Sequence, residues 1–308
     1  MVLPNGRHCL GAAMRYMRSV PARRVCCQLR RPLTTTHWTP SVQGTETTQP
    51  PNQDRQSQVA TDSGKGANAN KAPAIRRFWR DVSVGEHDGD YVVLLDKRPI
   101  KTPDGKLVRI SQGQRVLAWL IAGEWESQKE TLNAHSLPLT SLVSRSIDGL
   151  SNPNMRAEVI NRLLNYFQTD SVCLHDTHPR ALVDLQQKYY SPIVDWARST
   201  YDIDIQITSD IFALRQKNAS IERLRNVVSE LSPLKLAALE RAVMSAKSFL
   251  IGLALVQLRI TVEEAAMAAQ AEANAQTQFW GELENAHDLD NTAMRQVLGA
   301  SACAAIGA

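Results

Sequence analysis

The first 40 residues contain no acidic side chain, and the first carboxylate of the chain is Glu46. Seven arginines stand there unopposed (Arg7, Arg15, Arg18, Arg23, Arg24, Arg30, Arg31), together with Ser19 and the run Thr34 to Thr36. The hydrophobic residues among them are scattered, so the continuous apolar segment of a secretory signal is missing. An Arg-rich, hydroxyl-bearing, acid-free segment predicts a mitochondrial transit peptide over residues 1–40. A basic tail that binds nucleic acid or acidic lipid is the competing reading. The basic run ends abruptly, well before the first foldable sequence, and this favours import.

Other absences narrow the possibilities. The whole chain has 35 Lys+Arg against 31 Asp+Glu; without the seven leader arginines, 28 face 31, so residues 41–308 carry about −3. Nothing in that balance suggests a nucleic-acid binder, which would need a basic face. Five cysteines are present, but Cys9, Cys26 and Cys27 lie in the leader. Cys173 and Cys303 alone make neither a disulfide framework nor a zinc site, which suits a reducing compartment. The most apolar stretch, Phe249 to Val256, is far short of the ~18 residues of a membrane span. Gly-rich phosphate loops, a Gly-x-Ser-x-Gly elbow and a His-Glu-x-x-His pair are also missing.

Residues 41–75 are rich in Gln, Thr, Asn, Ser, Gly and Pro and have almost nothing to bury, which predicts a disordered linker. From Arg76 the chain becomes foldable. Phe78 to Val84, Tyr91 to Leu95, a piece near Ile100 and Leu107 to Ile110 read as short strands. They are separated by the turn clusters Gly85 to Asp90, Asp96 to Pro99 and Pro103-Asp104-Gly105. Such tight spacing predicts antiparallel hairpins. Ser111 with Gln114 suggests a capping box, opening a helix with Val116, Leu117, Leu120, Ile121 and Trp125 on one face.

The remainder reads as helical. Asn152-Pro153 starts a helix with Val159, Ile160, Leu163, Leu164 and Phe167 as its core face. Another helix is bent or broken at Pro192, Ser232-Pro233 opens a long one reaching Gln257, and Thr261 with Glu264 caps one running to Trp280. The expected fold class is α+β. A small antiparallel β-rich domain with a helix spans residues 76–150, and a larger, mostly α-helical domain spans residues 151–308. Trp79, Trp119, Trp125, Trp196 and Trp280 read as core residues, although an exposed tryptophan would be a strong interface anchor.

Two clusters could carry chemistry. His175, Asp176 and His178, beside Cys173, are dense in metal-ligating groups, but no partner pair of similar spacing exists to complete about four ligands. Glu284, His287 and Asp288 could do acid–base work, but a solvent-facing helix end or loop is the preferred account of them. A matrix enzyme using either cluster is the alternative to the reading that follows.

Several ordered segments resemble the mitochondrial F1-ATPase assembly factor 2 family. They include Arg77-Phe78-Trp79, Leu95 to Arg98 with Lys101-Thr102-Pro103, and Glu124-Trp125-Glu126-Ser127-Gln128. Thr169-Asp170-Ser171-Val172-Cys173 follows, then Leu258 to Thr261 with Glu263, and finally Trp280-Gly281, Glu284 and His287-Asp288. The likeness covers about residues 76–290. It departs at Tyr190-Ser191-Pro192, where the family often has Trp-Asp-Pro. The resemblance implies a chaperone without turnover, cofactor or metal, placed in the matrix, free or peripheral to the inner membrane. Its implied partner is the unassembled α subunit of F1-ATPase. It also implies a required acid on the last long helix of the family pattern, which here is Glu272. The alanines around it (Ala268, Ala269, Ala271, Ala273, Ala275) suggest a smooth surface open to close approach. Trp125, Asp170, Trp280, Gly281, Glu284, His287 and Asp288 are family-pattern positions, with structural roles as the simplest account.

Overall fold

The computed structural model describes residues 75–281 and 286–308. The leader, the linker and Glu284 lie outside the described residues, as do the side chains of Trp280 and His287. Three strands come first: β1 (Val82–His87), β2 (Asp90–Leu95) and β3 (Arg98–Pro99), antiparallel in the order β1-β2-β3. Val82 pairs with Leu95 and His87 with Asp90. The connecting pairs Asp88-Gly89 and Asp96-Lys97 all have positive φ, the two-residue turn geometry that matches strand twist. Asp96 tolerates this because its carboxylate accepts the Arg80 and Asp81 N–H groups, each at 3.0 Å. The same bonds hold its pKa below the usual value. Leu107 to Ile110 is not a full strand. It returns along β2 with one bridge at Tyr91 and another, at Lys101, to the outgoing chain, because the Pro103-Asp104-Gly105 turn leaves too little length for a ladder.

Ten helices follow among the described residues, giving an α+β fold. These are α1 (Arg115–Glu126), α2 (Pro138–Asp148), α3 (Pro153–Gln168), α4 (Arg180–Tyr201) and α5 (Asn218–Ser229), then α6 (Pro233–Ala246), α7 (Phe249–Val256), α8 (Val262–Ala269), α9 (Ala271–Trp280) and α10 (Ala286–Ala305). Asn152 caps α3 by accepting the Asn154 N–H, and all five predicted core residues of that helix are buried. Helix α4 runs through Pro192 unbroken. Thr261 and Glu264 form a complete capping box.

Three helix starts and stops differ from the sequence expectation. Ser111 makes no capping bond, because a 3-10 turn, Gln112–Gln114, intervenes before α1. The buried Gln114 amide instead donates to the carbonyls of Ala304 and Ile306, each at 3.3 Å, and ties the end of the chain to the start of α1. The predicted helix 233–257 is interrupted at Lys247, which is left-handed with φ 57°. The predicted helix 261–280 is interrupted at Gln270.

The break at Lys247 frees α7 to run through the middle of the structure. All eight of its residues are buried, and α3, α4, α6, α8 and α10 pack around it. A helix with no solvent-facing side has no water for its first N–H groups, so the protein must satisfy them. Ser248 accepts the Ile251 N–H at 3.1 Å, and Asp170, fully buried, accepts the Leu250 N–H at 2.9 Å. Asp170 also accepts the Val172 N–H at 3.1 Å. Its carboxylate therefore sits at the positive end of the helix macrodipole. Burial still raises its pKa to about 6, although hydrogen bonds from Ser248, Leu250, Val172 and Phe249 oppose the shift. Helices α6 and α7 approach closely at Gly252, where an added Cβ would lie 2.5 Å from Val243 Cγ2 and 3.1 Å from the Val243 nitrogen.

Two outcomes follow for this centre. Gly252→Ala forces overpacking against Val243 and should lower the unfolding free energy by about 1–3 kcal/mol in a denaturant titration; an unchanged midpoint contradicts the close approach. Asp170 binds its proton more tightly folded than unfolded, so its contribution to stability is full below about pH 4 and is lost as pH rises through about 6. Asp170→Asn should flatten the stability–pH curve across that window relative to the parent. Identical slopes for both proteins contradict the assignment.

Candidate functional site

Glu272 lies in the first turn of α9 and is exposed. The chain restarts at Gln270, so Glu272 stands at a helix amino end, where a carboxylate is favoured. The alanines around it act differently from the expectation. Ala268, Ala271 and Ala275 are buried, Ala269 is half-buried, and only Ala273 is exposed. Their small size lets α8 and α9 lie against α4, rather than leaving an open smooth surface. The position of Glu272 is thereby fixed on a packed helix. Its charge also reaches the buried Tyr190 hydroxyl, whose pKa is raised first by burial, then by Glu272, Asp170 and Asp176. Tyr190 packs against the His175 ring, with centroids 6.1 Å apart. The family-pattern departure at this position thus places a buried tyrosine on α4, the helix against which α9 packs.

His175, Asp176 and His178 do not form a ligand set. The His175 ring nitrogen Nε2 lies 3.2 Å from the Val172 carbonyl, and burial lowers the ring's pKa. The Asp176 N–H donates to Gln186 Oε1 at 2.9 Å. Among the described residues no three His, Cys, Asp or Glu side chains converge where a metal ion could sit. Cys173 is buried, and burial together with the Asp170 charge pushes its thiol pKa up, so it is not held as a thiolate.

The Glu124 to Gln128 segment clasps α1 to α2. Glu124 accepts the Leu139 N–H at 2.7 Å, the Thr140 N–H at 2.9 Å and the Thr140 hydroxyl at 2.7 Å, capping the start of α2 with a side chain borrowed from α1. Burial raises its pKa against the pull of those donors. Trp125, half-buried, donates Nε1–H to Thr140 Oγ1 at 3.1 Å, and its ring meets Trp79 edge-on at 5.1 Å. Gln128 donates to the Glu124 carbonyl and the Ser136 hydroxyl and accepts the Asn133 N–H. Arg77 lies over the Trp79 ring at 5.5 Å and donates to the Glu126 and Gln128 carbonyls. Gly281, with φ +82°, ends α9 by donating its N–H to the Thr277 carbonyl at 2.9 Å. Asp288 is exposed in the first turn of α10.

Trp119 is not in the core, contrary to the sequence reading, and is 54% exposed. Helix α1 buries Leu117, Ala118, Ile121 and Ala122 and turns Val116, Trp119 and Leu120 outward. Gly123 continues that outer stripe, with nothing within 4 Å of where its Cβ would be. The helix is apolar nearly all round between Val116 and Ala122, so periodicity alone does not choose the inner face. The usable signal is Ala118 and Ala122, whose small side chains mark the side packed against β1, β2 and α2. An exposed stripe of this kind marks an interaction surface more often than a solvated face.

Trp125→Arg would place a charge inside the Trp79–Thr140 clasp. It should cut soluble yield and lower the melting temperature; unchanged melting contradicts the clasp.

With this geometry in place, the comparisons with known proteins give a consistent answer. Residues 76–198 match the family described as ATP12 chaperone protein. The chain is 31% identical over 248 residues to "Protein atp12, mitochondrial" of Schizosaccharomyces pombe, covering 78% of this chain and 85% of that one. It is also 31% identical over 271 residues to "Protein ATP12, mitochondrial" of Saccharomyces cerevisiae, covering 75% and 83%. Among solved structures, Atp12 from Paracoccus denitrificans superposes with a TM-score of 0.63 at 28% identity, covering 75% of this chain and 96% of that one. The Atu1473 protein from Agrobacterium tumefaciens gives 0.67 at 28% identity, covering 77% and 87%. The chain belongs to the ATP12 chaperone family, whose members are chaperones rather than enzymes.

Proposed function

We propose that this protein is an assembly chaperone that holds the unassembled α subunit of mitochondrial F1-ATPase in the matrix and releases it into the growing F1 sector. Membership of the ATP12 family supports an ATP synthase client. The α-subunit assignment rests on the sequence resemblance. The observation that carries a binding role, rather than a catalytic one, is the outward apolar stripe of α1 with its exposed Trp119. A subunit awaiting its neighbours exposes apolar surface that aggregates if left uncovered. A chaperone that covers it loosely yields to the proper partner by mass action and needs no fuel. Glu272, fixed at the start of α9 by buried alanines, supplies a carboxylate that can pair with a basic client side chain. Residues 1–40 would direct the chain to the matrix and be removed there, and residues 41–75 would link that leader to the folded part.

Dilution of denatured F1 α subunit into buffer, followed by light scattering, tests the reading. The leader-free protein should suppress aggregation at near-equimolar ratio. Trp119→Ser and Glu272→Lys should each weaken suppression while leaving the melting temperature within a degree or two, because surface changes away from packed features cost under about 0.5 kcal/mol. If the parent protein fails to protect the α subunit, the client assignment is wrong. If it protects and both variants protect equally well, these residues do not touch the client.

A further inference from the structure

A cavity of about 670 Å³ opens between α2, α6 and α10 and is separate from the residues discussed so far. Its lining combines apolar side chains, among them Leu142, Met244 and Val297, with the ionisable His135, Arg145, Glu240 and Arg241. Glu240 is only 7% exposed. Arg145 grips it with Nε at 3.0 Å and Nη2 at 3.1 Å, and Arg162 donates to the same carboxylate from α3. Among the described residues Glu240 is the only acid in the lining, and it is already shared between two guanidinium groups. Arg241, next in sequence, is exposed and has no acidic partner among the described residues. Two guanidinium groups, those of Arg145 and Arg241, thus line the cavity beside one carboxylate, which Arg162 also holds from outside the lining. The excess positive charge lies beside an apolar wall in which Met244 is 44% exposed.

We propose that this cavity docks an acidic segment of the client, one that sets a carboxylate against Arg241 and an apolar side chain against Leu142, Met244 and Val297. The partner being a protein chain rests on the chaperone reading above; its chemistry follows from the cavity. A cationic segment would meet two guanidinium groups with a single, already committed counter-charge. A purely apolar one would bury Arg241 without a partner, which is costly. A small free anion would satisfy the arginine and leave the apolar wall empty. An acid flanked by an apolar residue matches both, since guanidinium recognises carboxylate through parallel hydrogen bonds. Methionine adapts its shape to varied apolar side chains, as a site for a partly folded client requires. The Glu240 clasp holds Arg145 rigid, so the cavity wall is formed before the client arrives.

Fluorescence anisotropy on the full chain tests this with two dye-labelled peptides of equal length and apolar content, one carrying glutamates and the other lysines. Purified F1 α subunit is measured in parallel. The glutamate peptide should bind, with affinity that falls as salt rises, and the lysine peptide should bind at least roughly tenfold more weakly. Arg241→Glu should weaken the glutamate peptide and the α subunit by roughly tenfold or more at unchanged melting temperature, and Arg241→Lys, which keeps the charge but loses the parallel hydrogen bonds, should fall between the parent and Arg241→Glu. Equal binding of the two peptides overturns the proposal, as does an Arg241→Glu variant with parental affinity. Displacement of the glutamate peptide by micromolar inorganic phosphate would make this a small-anion site and also overturns it. A parent protein that discriminates the peptides but ignores the α subunit leaves the cavity standing and removes the client assignment instead.

Discussion

The structure depends on how the amino end of one buried helix is satisfied. Helix α7 has no side facing water, so its first N–H groups need acceptors inside the protein. Ser248 provides one from within the chain break, and Asp170 provides another from the segment that follows α3. The left-handed residue Lys247 makes this possible by ending α6 and redirecting the chain into the core. Phe167 and Phe249 then pack with ring centroids 5.7 Å apart, joining the carboxylate-bearing segment to the helix it caps. Five helices are laid against this centre, and the surfaces proposed for the client on α1 and α9 lie outside that layer. The uneven pKa behaviour of the carboxylates reflects the same division. Asp170 and Glu124, drawn into the interior as caps, are raised by burial. Glu263 and Glu264, at the exposed start of α8, are lowered by the Arg295 and Thr261 groups they bond.

Much of this is legible in the sequence where one local rule acts alone. The Thr261–Glu264 capping box, the Asn152-Pro153 start and the core face of α3 follow from neighbours three or four residues apart. The hairpins follow from turn residues that accept positive φ. The sequence misleads where a distant group decides. Gln114 looks like half of a capping box, but its amide is taken by carbonyls near residue 305. Lys247 carries no sign of a left-handed turn; what favours it is Asp170 waiting 80 positions upstream for the Leu250 N–H. Asp170 itself stands out only as part of a family pattern, and its role as a remote helix cap is visible only in three dimensions.

The candidate site shows the same limit. Glu272 owes its selection to resemblance. The structure adds that the alanines beside it are packing residues holding α9 to α4, so its precision of placement comes from the core and not from a smooth surface. Trp119 reads as core in the sequence because α1 is apolar nearly all round, whereas its exposure gives the face proposed for a protein client. The arginine excess around Glu240 was not visible in sequence, since Arg145, Arg162 and Glu240 come from three helices. A rigid centre with adhesive and charged outer faces is the arrangement expected of a holding chaperone: binding costs little reordering of the chaperone, and release leaves its fold unchanged.

Hydrogen–deuterium exchange of the protein alone and bound to the F1 α subunit tests this account most directly. The account predicts that α7 exchanges slowly in both states, while α1 around Trp119 and the start of α9 around Glu272 gain protection only in the complex. Rapid exchange of α7 in the free protein, or a complex in which neither α1 nor α9 changes, would contradict it.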